Sequence, residues 1–188
     1  MFEALLTSTG LVALAEIGDK TMLLAIVLAT RFRRPLPIIA GIFVATILNH
    51  ALAAWAGSLA AGFFEGRTFR LFVAASFIAM GLWTLIPDKF DESEAPAANA
   101  HGVFVTTLVA FFVVEMGDKT QLATVALGAR YHDVLAVAAG TTIGMMIANA
   151  PAVLLGDVLV KRVSLNLVRL AAAASFIALG VWMLVRTL

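Results

Sequence analysis

The sequence predicts an all-α membrane protein with six transmembrane helices, arranged as two inverted three-helix repeats. Three observations support this fold class. Hydrophobic residues make up 62% of the 188 residues and charged residues only 13%, whereas a soluble domain carries about 25% charge. The apolar residues are gathered in six long segments, and the second half of the chain repeats the first. A water-soluble globule is excluded, because too few polar residues are present to cover its surface.

Short polar breaks separate the six apolar segments. A bilayer core needs about 20 apolar residues in a helix, and a spanning segment must satisfy its own backbone hydrogen bonds. The third break, at 88–102, is longer and acidic, which is typical of a flexible linker. We therefore predict helical spans over Ala4–Ala29, Leu36–Phe64, Phe69–Ile86, Val103–Ala129, Val134–Val160 and Leu167–Val185.

An internal repeat relates the two halves at a constant shift of 99 residues, from position 16 to position 115. Glu16–Thr21 reads EIGDKT and Glu115–Thr120 reads EMGDKT. With three spans each, the halves would have opposite orientations, the plan of many secondary transporters with a binding site near the midplane. We predict a first repeat over 1–87, an acidic linker over 88–102 and a second, inverted repeat over 103–188.

The charges of the loops predict an orientation in the membrane. Lys and Arg are more frequent on the side that holds Arg31–Arg34 and the linker than on the side that holds Arg67 and Arg130. The positive-inside rule then places the linker at 88–102 in the cytoplasm and both termini outside. We expect a multi-pass protein of the cell (inner) membrane. No Lys or Arg precedes the first apolar run, so we expect that run to be retained rather than cleaved.

Each motif places three charged residues inside an apolar span. A charge at the bilayer centre costs roughly 2.5–3.5 kcal/mol on insertion scales, so these side chains are expected to face the bundle interior. In a continuous helix, Glu16 and Asp19 would share a face, and Glu16 and Lys20 would be spaced for an ion pair. Gly18, like Gly117 in the second copy, permits either close helix packing or a local break that frees backbone carbonyls as ligands.

The two motifs together are predicted to form one metal site. Their four carboxylates (−4) and two lysines (+2) sum to −2, which one divalent cation or two protons would balance. The chain has no cysteine, and oxygen ligands without thiolates favour hard ions such as Ca²⁺, Mn²⁺ or Mg²⁺. Repulsion among the carboxylates favours proton uptake when the metal leaves. The predicted metal ligands are Glu16, Asp19, Glu115 and Asp118.

Further polar residues are predicted to support this site. The two lysines would pair with the carboxylates, snorkel to the interface, or act as internal cations that occupy the empty site. His50 and Asn149 hold matching positions in the two halves, and either a proton relay or interhelical hydrogen bonding fits them. For Met22 and Gln121, helix packing is the alternative to a contact with the metal. The supporting set is Lys20, Thr21, Met22, Asn49, His50, Lys119, Thr120, Gln121 and Asn149.

The doubled motif resembles the signature of the small Gdt-type cation transporters, E-x-G-D-[KR]-[ST] on the first and fourth spans of a six-span core. Both copies match without departure, and the resemblance covers nearly the whole chain. The family includes bacterial manganese exporters and Golgi calcium/manganese–proton exchangers. The resemblance implies manganese export in bacteria, coupling to protons, a role in metal homeostasis, and the four acidic residues as metal ligands.

The function expected from the sequence is export of a divalent metal, Mn²⁺ or alternatively Ca²⁺, in exchange for protons. We expect a secondary transporter and not an enzyme, without a prosthetic group. One alternative is a proton-coupled exporter of a small cationic organic solute such as a basic amino acid. An intramembrane enzyme is disfavoured, because the sequence has no nucleophile paired with a base at suggestive spacing. The expected partners are the lipid bilayer and the transported ions, with no nucleic acid and with a homodimer left open.

Overall fold

The computed structural model describes residues 1–64, 66–87, 102–156 and 164–188. Every regular element in these ranges is an α-helix, so the all-α class is confirmed. Nearly all of the predicted linker at 88–102, and the end of the fifth predicted span, lie outside the described residues. The helices are α1 (Phe2–Glu16), α2 (Lys20–Phe32), α3 (Pro35–Phe63), α4 (Arg67–Thr84), α5 (Gly102–Glu115), α6 (Lys119–Tyr131), α7 (Val134–Leu155) and α8 (Leu165–Thr187).

The first and fourth predicted spans each consist of two helices. A break at residues 17–19 separates α1 from α2, and a break at residues 116–118 separates α5 from α6. Gly18 has φ of 87° and Gly117 has φ of 80°, a left-handed conformation that glycine adopts without steric cost and that ends an α-helix. The helices predicted over Ala4–Ala29 and Val103–Ala129 are therefore each interrupted, and of the two roles predicted for the motif glycines the structure has the local break.

Three helices of the described chain, α3, α7 and α8, are long and apolar enough to cross a bilayer, and α5 is apolar but shorter. The longest is α3, with 29 residues. Large apolar side chains such as Leu48, Trp55 and Ile147 point outward from these helices. Exposed apolar surface on this scale suits contact with lipid chains rather than with water. The fold is thus that of a membrane protein.

The helices of the two halves pack mainly against each other. Helix α1 packs along α7, and its counterpart α5 packs along α3, while α4 packs along α8. Glycines allow the close approach: a Cβ added at Gly41 would lie 2.9 Å from the carbonyl oxygen of Phe104, and one at Gly140 would lie 2.5 Å from that of Leu5. Small residues at helix contacts are the usual means of tight packing in membranes. Both broken spans are therefore held between helices of the other half.

Replacement of Gly57 tests the packing of α3 on α6. A Cβ at Gly57 would overlap the backbone carbonyl of Val125, whereas a Cβ at Gly62, in the same helix, would meet nothing within 4 Å. We expect Gly57→Ala to destabilise the protein by about 1–3 kcal/mol through overpacking, measured as a lower melting temperature in detergent. Gly62→Ala should leave the melting temperature unchanged or raise it slightly, since alanine favours helix. Equal shifts in the two variants would contradict the packing.

Candidate metal site

Each motif break places one carboxylate at the end of a helix and another at the start of the next. Glu16 is the last residue of α1 and Asp19 is the N-cap of α2, and Glu115 and Asp118 repeat this arrangement at α5 and α6. Each break is closed by a turn, in which the N–H of the aspartate donates to the carbonyl of the glutamate at 3.0 Å and 3.1 Å. Each break thus joins the partly negative C-terminus of one helix to the partly positive N-terminus of the next, and the N-terminus favours the aspartate carboxylate.

Three of the four carboxylates meet in one cluster. One carboxylate oxygen from each of Glu16, Asp19 and Asp118 lies within 4.8 Å of the other two. All three residues are buried, with exposed fractions of 5% or less. Carboxylates at this spacing repel one another in an apolar interior, and a hard cation bound by their oxygens relieves that repulsion. The cluster contains residues of both halves, and a single shared metal centre stays a prediction.

The fourth predicted ligand, Glu115, is not a member of this three-residue cluster. Its Oε2 accepts a hydrogen bond from Oγ1 of Thr120 at 3.2 Å and lies 3.9 Å from Nε2 of His50. The hydroxyl of Thr120 also lies 3.4 Å from Oδ2 of Asp118. Glu115 is therefore linked to the cluster through Thr120, and His50 lies beside its carboxylate, while a supporting role of His50 stays a prediction.

Glu16 is held by two neutral donors. Oγ1 of Thr21 donates to Glu16 Oε2 at 2.6 Å, and Nδ2 of Asn149 donates to the same oxygen at 3.3 Å. The other carboxylate oxygen, Oε1, and Oδ1 of Asn149 are buried and have no hydrogen-bond partner. Buried polar atoms are nearly always satisfied in folded proteins. Because both atoms are acceptors, a cation would satisfy them, and this environment fits a metal ion as cargo.

The lysines pair differently from the expectation for a continuous helix. Nζ of Lys20 lies 3.3 Å from Oδ1 of Asp118, in the other half of the chain. Nζ of Lys119 donates to the carbonyl of Ile86 at 3.2 Å. The predicted pairing of Lys20 with Glu16 is wrong, because the break after Glu16 removes the helical spacing on which it depended.

Two other predicted residues stabilise the second break. Nδ2 of Asn49 donates to the carbonyl of Phe112 at 3.0 Å, and Nε2 of Gln121 donates to Oδ1 of Asn49 at 3.4 Å. Oε1 of Gln121 accepts from the backbone N–H of Gly117 at 2.7 Å. Met22 is buried in an apolar cluster of α2, α3, α5 and α7, so packing is its observed role.

The structure adds two residues that sequence reasoning missed. Sδ of Met145 lies 2.9 Å from Nδ2 of Asn149. Met145 precedes Asn149 by four residues in one helix, a spacing that brings two side chains together, so the sequence could have indicated this contact. Leu165, at the start of α8, covers the first break, since a Cβ at Gly18 would lie 2.9 Å from its Cδ2. No pattern in the sequence relates Leu165 to Gly18, because their contact depends on tertiary packing.

Apolar spanning helices and a buried carboxylate cluster built on broken helices define a membrane protein of the ion-transporting class. The chain matches the family described as "Divalent cation/proton antiporter GDT1" over residues 4–92 and 103–188, and it belongs to that family. The resemblance seen in the doubled motif is thereby confirmed. Members of this family are transporters rather than enzymes.

Individual relatives cover nearly the full chain. A protein of Vibrio cholerae described as "Putative manganese exporter" is 46% identical over 96% of this chain and 90% of its own length. The "GDT1-like protein sll0615" of Synechocystis is 28% identical over 94% of each chain. The "GDT1-like protein 5" of Arabidopsis thaliana is 27% identical over 93% of this chain and 92% of its own. No solved structure matches the chain.

Two threonine-to-valine variants test whether the hydrogen bond from Thr21 to Glu16 contributes to metal binding. Thr21→Val keeps the side-chain shape but removes the donor to Glu16, so we expect Mn²⁺ binding to weaken about tenfold or more, the usual cost of losing a partner that orients a metal ligand. Thr30, in the same helix, donates to its own helix at Ile26, and Thr30→Val should change the affinity less than twofold. Isothermal titration of the purified variants measures both, and a similar loss in both would exclude a specific role for Thr21.

Proposed function

We propose that this protein exports a divalent metal ion, Mn²⁺, from the cell in exchange for protons, through one midplane site to which both motifs contribute. The observation that carries the proposal is the buried cluster of Glu16, Asp19 and Asp118, with oxygens from both halves within 4.8 Å. Membership of a divalent cation/proton antiporter family supports the reaction. The description of the Vibrio cholerae relative supports the choice of metal.

The proposed architecture is a six-span inverted repeat in the inner membrane. In it, α1 with α2 forms one interrupted span and α5 with α6 forms another. The helix bounds support this, because α2 at Lys20–Phe32 recurs as α6 at Lys119–Tyr131 under the shift of 99 residues. The proposed units are residues 1–87 and 103–188, joined by a cytoplasmic linker at 88–102, with both termini outside.

In the proposed mechanism, the metal and protons bind the same carboxylates in turn. Glu16, Asp19 and Asp118 would hold the metal, with Glu115 as the fourth acidic ligand and the unpartnered Oδ1 of Asn149 as a neutral one. Either a divalent ion or protons relieve the repulsion among these carboxylates. Because the two cargoes compete for the same oxygens, the entry of one favours the departure of the other, which is the requirement for exchange.

The geometry of the cluster favours a metal ion over an organic cation. Oxygens within 4.8 Å of one another surround a space suited to a single ion rather than to an amino acid. The thioether of Met145 beside Asn149 is a softer group that Mn²⁺ tolerates better than Ca²⁺ does. We therefore propose Mn²⁺ as the preferred cargo.

Transport by reconstituted protein tests the exchange. Vesicles loaded with Mn²⁺ should release it faster when an inward proton gradient is imposed, and Glu16→Gln should abolish this release. Glu3→Gln is the matched control, because Glu3 lies in the same helix, is 71% exposed and pairs with Arg130 at the surface. Mn²⁺ release that is indifferent to the proton gradient in the wild type would refute the proposed coupling.

Competition between metals tests the selectivity. We expect Ca²⁺ to inhibit Mn²⁺ transport only at about tenfold higher concentration than unlabelled Mn²⁺, because the thioether of Met145 beside Asn149 is a softer group than Ca²⁺ prefers. The measurement is the inhibition of Mn²⁺ flux by each ion in vesicles of the same preparation. Equal inhibition by the two ions would contradict the preference for Mn²⁺ while leaving the exchange with protons intact.

A further inference from the structure

Lys20 differs from the other charged residues of the two motifs. Its ammonium lies 3.3 Å from Oδ1 of Asp118, a member of the carboxylate cluster. Its side chain is 28% exposed, so it reaches the cluster from the edge rather than from within. The other five charged motif residues are buried: Glu16, Asp19, Glu115, Asp118 and Lys119.

The equivalent lysine of the second motif has a different environment. Nζ of Lys119 donates to the carbonyl of Ile86 at 3.2 Å and lies 5.7 Å from the ring centre of Trp83. A carbonyl and an aromatic face both stabilise an ammonium. Two contacts of Lys119 therefore lie at the end of α4.

The tryptophan that corresponds to Trp83 in the second half contacts arginines. Trp182 matches Trp83 under the shift of 99 residues, and the guanidinium groups of Arg130 and Arg186 lie 4.6 Å and 4.7 Å from its ring centre. Trp182 thus contacts two arginines, whereas Trp83 contacts a lysine, so the two halves differ at this matched position.

We propose that Lys20 is an internal cation that holds the place of the transported metal at Asp118 and is displaced when the metal binds. This inference rests on the proposed function. A divalent ion at Oδ1 of Asp118 and an ammonium 3.3 Å from the same oxygen would repel each other strongly at this distance. The two cations therefore exclude one another, and the exposed stem of Lys20 gives its ammonium room to withdraw.

The exchange gives Lys20 a function in the release of the metal. As the ion leaves, the ammonium returns to Asp118 and occupies the oxygen that would otherwise rebind the ion. Lys20 is then a positioning residue that lowers the affinity for the metal in favour of turnover. A purely structural ion pair between the halves makes a different prediction, because its loss would lower stability without strengthening metal binding.

A change in affinity distinguishes the two roles. We expect Lys20→Met to bind Mn²⁺ about tenfold tighter than the wild type, within the range of ordinary coupling between two ligands, and to export it more slowly. Lys20→Arg keeps the charge and should stay near the wild-type affinity. Lys119→Met should tighten binding by less than about threefold, because Lys119 contacts Ile86 and Trp83. The measurements are isothermal titration with Mn²⁺ and flux from vesicles.

Chemical restoration of the charge provides a second test. The chain has no cysteine, so Lys20→Cys offers one thiol for modification. Capping this thiol with a neutral methylthio group should give the tight Mn²⁺ binding, and attaching an aminoethylthio group, which carries an ammonium, should restore weak binding. Both adducts share one protein preparation, so a difference between them reports the charge and not a failure to fold.

The outcomes separate this inference from the proposed function. If the wild type binds Mn²⁺ and Lys20→Met binds no tighter, or if the two adducts of Lys20→Cys bind equally, Lys20 does not hold the place of the metal. Equal tightening by Lys20→Met and Lys119→Met would also overturn the inference, since it would show a general effect of net charge. A wild type that binds no Mn²⁺ would overturn the proposed function, and this inference with it.

Discussion

The burial of carboxylates inside apolar helices is the constraint on which the rest of the structure depends. A charge in this environment is expensive unless other groups solvate it. One oxygen of Glu16 has the donors Thr21 and Asn149, and Asp118 has the ammonium of Lys20. Both motif aspartates follow a break at which a helix ends. The glycine at positive φ in each break allows the chain to leave one helix and start the next there.

Two copies of one motif produce a site whose halves are not equivalent. Glu16 lies beside the amide of Asn149, and Glu115 lies beside the imidazole of His50, at positions that match under the repeat. A neutral amide donor and an imidazole stabilise a carboxylate differently. Under the same shift of 99 residues, Met145 matches Thr46 of the first half. Duplication thus supplies the scaffold and the acidic residues, while substitutions at a few matched positions give the carboxylates of the two halves different neighbours.

The sequence alone was sufficient for the all-α class of the fold, and it pointed to carboxylates that the structure brings together. Low charge, long apolar runs and the repeat predict a helical membrane protein, and the repeated motif identifies Glu16, Asp19 and Asp118. The partner of Lys20 could not be predicted from spacing along one helix, because the contact with Asp118 joins the two halves. The cover that Leu165 provides for Gly18 was likewise beyond prediction, since van der Waals contacts between distant segments leave no periodic signal.

The interlocked packing of the halves has a consequence for biogenesis. Helix α1 packs along α7 and helix α3 along α5 and α6. The first half of the chain therefore leaves the ribosome before the helices that it packs against have been synthesised. Until residue 118 has been inserted, Lys20 lacks its carboxylate, and until α7 follows, Asn149 cannot reach Glu16. The membrane must therefore hold the first half as an incomplete intermediate, and final assembly waits for the last helices to be synthesised.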